Sequence, residues 1–214
     1  MKIKVTTRIL DANDRIAEEN KKLFNDSGVY VINLMSSPGA GKTSLLERTI
    51  QTIKDRVRVG VIEGDITGTK DAERIDRLGV PVVQINTEGA CHLDANMIAE
   101  AAKDLPLKDL DILFIENVGN LVCPAEFKVG EDIKVMILSL TEGDDKPLKY
   151  PLMFQESSVL IINKIDLKDF LDVSIDKIKR DAQSLNPEIK IFEVSCKTGQ
   201  GIDEWTNYLL TSIS

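Results

Sequence analysis

Positive charge is in short supply in this 214-residue chain: 27 lysines and arginines stand against 35 aspartates and glutamates, a formal net charge of −8. Such a surface repels nucleic-acid phosphates and anionic bilayers. The expected partners are therefore proteins or a small Mg²⁺-bound ligand, with no nucleic acid and no membrane among them. Cysteine is scarce as well. Three residues, an odd number, make a disulfide framework improbable. With no apolar leader and no run long enough to span a bilayer, they point to a reducing, cytoplasmic setting in which free thiols or metal ligands remain open. No stretch rich in Pro, Gly or Ser divides the chain, so residues 1–214 are expected to form one domain. Histidine occurs once, at His92.

What is present is a loop built for anions. Ser36-Ser37-Pro38-Gly39-Ala40-Gly41-Lys42-Thr43 follows the apolar run 29–35 and precedes the helix-like Ser44-Leu45-Leu46-Glu47-Arg48. A glycine-rich turn that opens a helix presents unpaired amides and the positive end of the helix dipole, and both favour phosphate. Ser37, Gly39, Ala40, Gly41, Lys42, Thr43 and Ser44 are the candidate contacts; Lys42 would reach the β- and γ-phosphates and Thr43 would ligate Mg²⁺. Ser36 stands where the general pattern has glycine. A plain tight turn is the blander reading, and the strand before and helix after argue against it.

Beyond this loop, uniformly apolar runs at 57–62, 82–85, 112–118, 135–140, 159–162 and 191–194 alternate with helical patterns. Runs that are apolar throughout suit strands covered on both faces. The order predicts an α/β chain of the three-layer P-loop NTPase kind, a mostly parallel central sheet flanked by helices with its ligand beyond the carboxyl strand ends. Region 1–27 carries Ile9, Leu10, Ile16, Ala17, Leu23 and Phe24 at helical spacing, an amphipathic helix that either packs on the core or joins two copies. Trp205, Tyr208, Leu209 and Ile213 give the last segment an apolar helical stripe that closes the core.

Asn163-Lys164-Ile165-Asp166 follows the run 159–162. A carboxylate at Asp166 can accept from both the ring N–H and the exocyclic amine of guanine, a pair that adenine lacks, while Lys164 would lie against base and ribose. Alone the tetrapeptide is also ordinary turn chemistry. Ser195-Cys196-Lys197, after the run 191–194, resembles a loop that supports the guanine from behind, with Cys196 structural. Together these favour GTP over ATP. Glu63-Gly64-Asp65 and Glu116-Asn117-Val118-Gly119 end two further strands at the height of the γ-phosphate. Lys42, Asp65, Glu116 and Gly119 are the candidate catalytic residues. Thr43, Asp65 and Glu116 are the candidate Mg²⁺ ligands, with water activation and metal binding left open between Asp65 and Glu116. Glu63 and Asp65 could also simply cap a helix near Asp71. No arginine is obviously placed as a finger, which predicts slow intrinsic hydrolysis.

Cys91-His92 lies in a loop before a helix expected to start near Asp94, and Cys123 follows Gly119 closely. Thiolate and imidazole suit Zn²⁺ or Ni²⁺ where Mg²⁺ wants oxygen, so these residues could form a second metal site. Two structural cysteines and a satisfied histidine would account for the same spacing.

Taken together, the strings 36–43, Glu63-Gly64-Asp65 with Asp71-Ala72, 88–94, 116–124 and Thr141-Glu142-Gly143-Asp144-Asp145 resemble the nickel-insertion GTPases of hydrogenase and urease maturation, more closely on the hydrogenase side. The resemblance runs from about Asp11 to Trp205 and accounts for Ser36, since that family often lacks the first glycine. It implies a GTP-dependent homodimer that carries Ni²⁺ or Zn²⁺ on Cys91, His92 and Cys123. It also implies delivery of nickel to the hydrogenase large-subunit precursor together with a nickel chaperone of the HypA type. Lys149, or less readily Lys146, would reach the nucleotide near the dimer contact. The chain departs from many relatives in having no Cys-x-x-Cys or histidine-rich stretch at its start, and Ile66-Thr67-Gly68-Thr69 leaves a switch threonine open between Thr67 and Thr69. A phosphoryl-transfer kinase and a regulatory GTPase without metal delivery are the rival readings; a urease-type nickel-insertion GTPase is the poorer match within the family.

Overall fold

The computed structural model describes residues 3–65, 68 and 70–213, the side chains of 3–9 excepted. The expected switch threonines, Thr67 and Thr69, lie outside the described residues. All seven apolar runs are strands, each within three residues of its expected limits: β1 (Tyr30–Ser36), β2 (Val59–Asp65), β3 (Val82–Asn86), β4 (Ile112–Glu116), β5 (Ile133–Ser139), β6 (Val159–Asn163) and β7 (Lys190–Glu193). They form one sheet in the order β3-β2-β4-β1-β5-β6-β7. Every pairing in it is parallel, where a mostly parallel sheet was expected. The β-branched and leucine-rich runs explain this arrangement: β4 and β6 are buried at every position, so neither face can be left to water.

Side chains alternate between the faces along each strand. On one face Ile32 and Leu34 of β1 meet Leu45, Leu46 and Ile50 of α2 (Lys42–Ile53) and Trp205 and Leu209 of α9 (Ile202–Ser212). The short α3 (Lys70–Asp76) adds Ile75 to that layer. On the other face Val31 and Ile62 pack with Phe24 of α1 (Ile3–Ser27) and Ile98 of α4 (Ala95–Ala102). Farther along, Met35, Met136 and Leu160 meet Ala125 of α5 (Cys123–Glu126), Phe154 of α7 (Pro151–Gln155) and Ile178 of α8 (Ile175–Leu185). Between β5 and α7 the chain makes a 3-10 turn at Leu140–Glu142 and then the short α6 (Lys146–Lys149).

The amino-terminal helix corrects one expectation. Its buried stripe is Asn13, Ala17, Asn20 and Phe24, whereas Leu23 is 44% exposed. Two asparagines hold the inward face because the neighbouring loops offer unpaired backbone groups. Asn13 accepts from the Ala95 N–H and donates to the Lys128 carbonyl, and Asn20 donates to the carbonyls of Ala95 and Val129. The helix therefore packs on its own core through polar as well as apolar contacts.

Candidate functional site

The parallel order brings the loops after β1, β2, β4 and β6 to one rim. There Gly39 (φ 76°) and Gly41 (φ 100°) take left-handed backbone conformations, and Gly41 begins α2 without any side-chain cap. The first-turn amides of α2 thus face a cavity of about 530 Å³, lined by Gly39, Lys42, Glu63, Asp65, Glu116 and Gly119 among others. Lys42 reaches back to the Ser36 hydroxyl at 3.1 Å, and Ser36 in turn donates to the Ser37 carbonyl. The serine that replaces the usual glycine is completely buried and holds the lysine in place. Burial pushes the Lys42 amine below its ordinary range even though Glu116, Asp71 and Glu63 lie nearby, so the loop carries a cation short of an anion to balance it.

Carboxylates gather on the opposite wall. Glu63 and Glu116 are direct cross-strand partners in β2 and β4, 2% and 3% exposed. One oxygen from each and one from Asp71 lie within 4.8 Å of one another, an arrangement able to hold a divalent cation. Burial, with Glu116 next, pushes the Glu63 carboxyl up to about 8, and burial pushes Glu116 to about 7. The Oε2 atoms of both are buried with no hydrogen-bond partner among the described residues. Two half-satisfied acids whose charged forms are disfavoured, beside a desolvated lysine, fit a place that a hard cation and phosphates complete. Thr43 donates its hydroxyl to Glu116 Oε1 at 2.7 Å.

The sequence singled out Thr43, Asp65 and Glu116. Of these, the structure joins Thr43 to Glu116, while Asp65 lines the same cavity but accepts the Gly68 N–H at 3.0 Å in the turn before α3. Glu63 is inside its strand and caps no helix, and it and Asp71 enter the cluster that the sequence reading missed. The available signal was strand parity: Glu63 and Asp65 share a face, and only the register against β4 shows which of them meets Glu116. An arginine is also present after all. Arg74 lines the cavity, but its guanidinium is engaged by Glu47 and Asp71 and touches the Ser44 hydroxyl, so it is not a free finger.

A second cavity of about 360 Å³ adjoins the first, lined by Gly41, Asn163, Lys164, Asp166, Cys196 and Lys197. Asn163 donates to the Ala40 carbonyl and accepts the N–H groups of Lys164 and Cys196. Lys164 takes a left-handed conformation (φ 62°) and lays its amine on the Gly39 carbonyl at 2.8 Å. The Ser195 hydroxyl donates to Asp166 Oδ1 at 2.6 Å, which fixes the carboxylate at the cavity edge. Burial pushes the Cys196 thiol to about 11, consistent with a neutral structural residue. Lys149 is exposed on α6 and lines neither cavity; from the same stretch it is Glu142 that reaches the phosphate loop, accepting from the Ser37 hydroxyl.

Cys91, His92 and Cys123 do come together. The two sulfurs are 3.1 Å apart, Cys91 Sγ is 3.6 Å from His92 Nδ1, and all three donor atoms lie within 4.8 Å. The imidazole packs on the Phe127 ring at 3.9 Å, and burial disfavours its protonated form, leaving nitrogen free to bind a metal. The Cys91 neighbour, then burial, pushes the Cys123 thiol upward, the penalty that a bound soft cation removes. Cys123 follows Gly119 by four residues, so one loop borders both the phosphate cavity and the thiol cluster.

No helix among the described residues is long and apolar enough to cross a membrane. Residues 30–193 match the model of the CobW/HypB/UreG nucleotide-binding domain. The chain is 51% identical to the hydrogenase maturation factor HypB of Escherichia coli (strain K12) over 98% of its own length and 72% of that protein's. It superposes on HypB of Archaeoglobus fulgidus with a TM-score of 0.90 at 41% identity, covering 96% of this chain and 100% of that one. HypB of Helicobacter pylori, solved in complex with nickel, gives a TM-score of 0.90 at 42% identity over 94% and 95% of the two chains. The phosphate loop, the carboxylate rim and the Cys/His cluster thus sit in a member of the CobW/HypB/UreG family, and within it the chain belongs to the hydrogenase maturation factors HypB.

Proposed function

We propose that this chain is a GTP-hydrolysing metallochaperone that delivers nickel during maturation of [NiFe]-hydrogenase. In this reading residues 1–214 act as one cytoplasmic domain, and GTP occupies the joined cavities with its phosphates on residues 37–44 and its base against Asn163, Lys164 and Asp166, backed by Ser195, Cys196 and Lys197. Lys42 would neutralise the β- and γ-phosphates and Gly119 would offer its N–H to the γ-phosphate. Mg²⁺ would arrive with the nucleotide and be held by Thr43 with Glu116 and the neighbouring carboxylates, Asp65 included, offsetting phosphate charge. Nickel or zinc is the cargo, on Cys91, His92 and Cys123. Three ligands leave a shell that a second copy can complete, hence a nucleotide-dependent homodimer with Lys149 reaching across it. The nickel chaperone of the HypA type and the hydrogenase large-subunit precursor are the proposed protein partners.

The observation that carries this reading is the single loop that borders the phosphate cavity at Gly119 and the thiol cluster at Cys123. Equilibrium titration with nickel and with zinc, in GDP and in a non-hydrolysable GTP analogue, beside mass measurement of the oligomer, tests it. Different nickel affinities in the two nucleotide states and a dimer favoured by the analogue are expected. Identical affinities would end the coupling idea, and full partner binding after replacement of Cys91, His92 and Cys123 would leave a regulatory switch instead.

A further inference from the structure

Two asparagines flank Gly119, and each fastens the metal-side chain segments to the phosphate-side strand. Asn117, 1% exposed at the end of β4, accepts two N–H groups on its side-chain carbonyl, those of Val118 and Leu93, both at 3.0 Å. Leu93 is the residue after His92. The amide of the same side chain donates to Asn33 Oδ1 on β1, and the Asn117 backbone N–H donates to the Leu34 carbonyl. Asn120 repeats the arrangement on the other side. Its backbone N–H donates to the Ser36 carbonyl at 2.8 Å, its side-chain oxygen accepts the Val122 N–H at 2.8 Å, and its side-chain amide donates to the Cys91 carbonyl at 3.3 Å. Val122 precedes Cys123. Between the two asparagines, Gly119 lies so close to the phosphate loop that a Cβ there would stand 3.0 Å from the Pro38 nitrogen.

We infer that Asn117 and Asn120 are the positioning residues that carry nucleotide state to the metal ligands. This rests on the reading that nucleotide and metal are coupled. Any displacement of Gly119 against Pro38 pulls on both side chains, and each holds the backbone next to a metal ligand: Leu93 and Cys91 on one strand of contact, Val122 on the other. The link is made of directional hydrogen bonds, so it moves ligands by position and orientation without touching metal or phosphate. Asn117 is also anchored on β1, which makes the phosphate-loop strand the fixed point of the lever.

The test uses the full chain and follows nickel binding through its thiolate-to-nickel charge-transfer absorption, in GDP and in a non-hydrolysable GTP analogue. The ratio of the two affinities is the readout, since a uniform gain or loss cancels in it. Wild type is expected to show a ratio in the range of about 5–150-fold. Asn120→Asp keeps the acceptor for Val122, loses the amide that serves the Cys91 carbonyl and the Cys123 thiol, and adds a charge whose uniform effect on nickel cancels in the ratio; it should cut the ratio by at least about threefold while nucleotide affinity holds. Asn120→Ala should bring it near one, as should Asn117→Ala; if the latter does not fold, the Asn120 pair decides. Variants that keep the wild-type ratio overturn the inference and leave the coupled reading standing. A ratio of one in wild type itself overturns both.

Discussion

The Asn163 side-chain amide donates to the Ala40 carbonyl across 2.9 Å, which fastens the base-side loop to the phosphate loop one residue before the left-handed Gly41. A Cβ at Gly41 would stand 2.5 Å from that same amide nitrogen. Gly41→Ala should therefore damage both halves of the nucleotide site at once. We expect a loss of GDP affinity of about 100-fold or more and a destabilisation of about 2 kcal/mol from the left-handed backbone alone. Titration with fluorescent GDP and urea unfolding measure the two effects separately.

Asp166 is held by Ser195 at 2.6 Å and lines the second cavity. Asp166→Asn exchanges an acceptor for a donor where the proposed guanine would lie. GTP affinity should fall about 100-fold, the scale of losing charge-assisted hydrogen bonds of roughly 1.5–3 kcal/mol, and xanthosine triphosphate should become the better ligand. Unchanged GTP binding would place the base elsewhere.

The Glu63 carboxyl, raised by burial from its ordinary 4.5 to about 8, makes stability depend on pH in a definite direction. Between those limits the folded, ligand-free protein holds a proton that the unfolded chain has released. The stabilisation from the neutral form is complete below about 4.5 and is lost as pH rises through about 8. Urea midpoints of the ligand-free protein should thus fall from pH 6 to pH 9, and Glu63→Gln should flatten that slope. A slope unaffected by the substitution would show that Glu63 does not titrate there.

Trp205 is fully buried in α9 and donates its indole N–H to Thr49 in α2 at 2.9 Å. Trp205→Phe removes that hydrogen bond and part of a large ring from between two helices. A loss of about 1–3 kcal/mol is expected, which lowers the thermal midpoint by several degrees, with nucleotide affinity unaltered. Calorimetry beside a nucleotide titration decides it.

Much of this architecture is legible in the chain because it is local. A strand buried on both faces reads as an unbroken apolar run, so β1 to β7 show themselves, and the phosphate loop announces its helix through Gly39 and Gly41. What stays hidden depends on register and approach. Glu63 joins Glu116 only because β2 and β4 are paired residue by residue, and Asp71 reaches them from a helix in another layer. Asn13 and Asn20 look like surface residues until the Ala95 and Val129 backbone groups they satisfy come into place. Arg74 is one cation among many until it is found beside Ser44. The Cys91, His92 and Cys123 cluster stands between: spacing alone leaves its meeting open, the family resemblance implies it, and the three donor atoms do lie within 4.8 Å of one another.

The wholly parallel sheet has a consequence in time. No two neighbouring strands are joined by a hairpin, so every pairing waits for a crossover to close, and such long-range closures slow folding. The loops that would grip a nucleotide leave β1, β4 and β6, and β5 must already lie between β1 and β6 before those loops stand at one rim. A partly assembled chain has nowhere to hold the ligand. A nucleotide that binds the finished sheet and not the unfolded chain would, by mass action, add to the stability of the native form in proportion to how far it saturates the site.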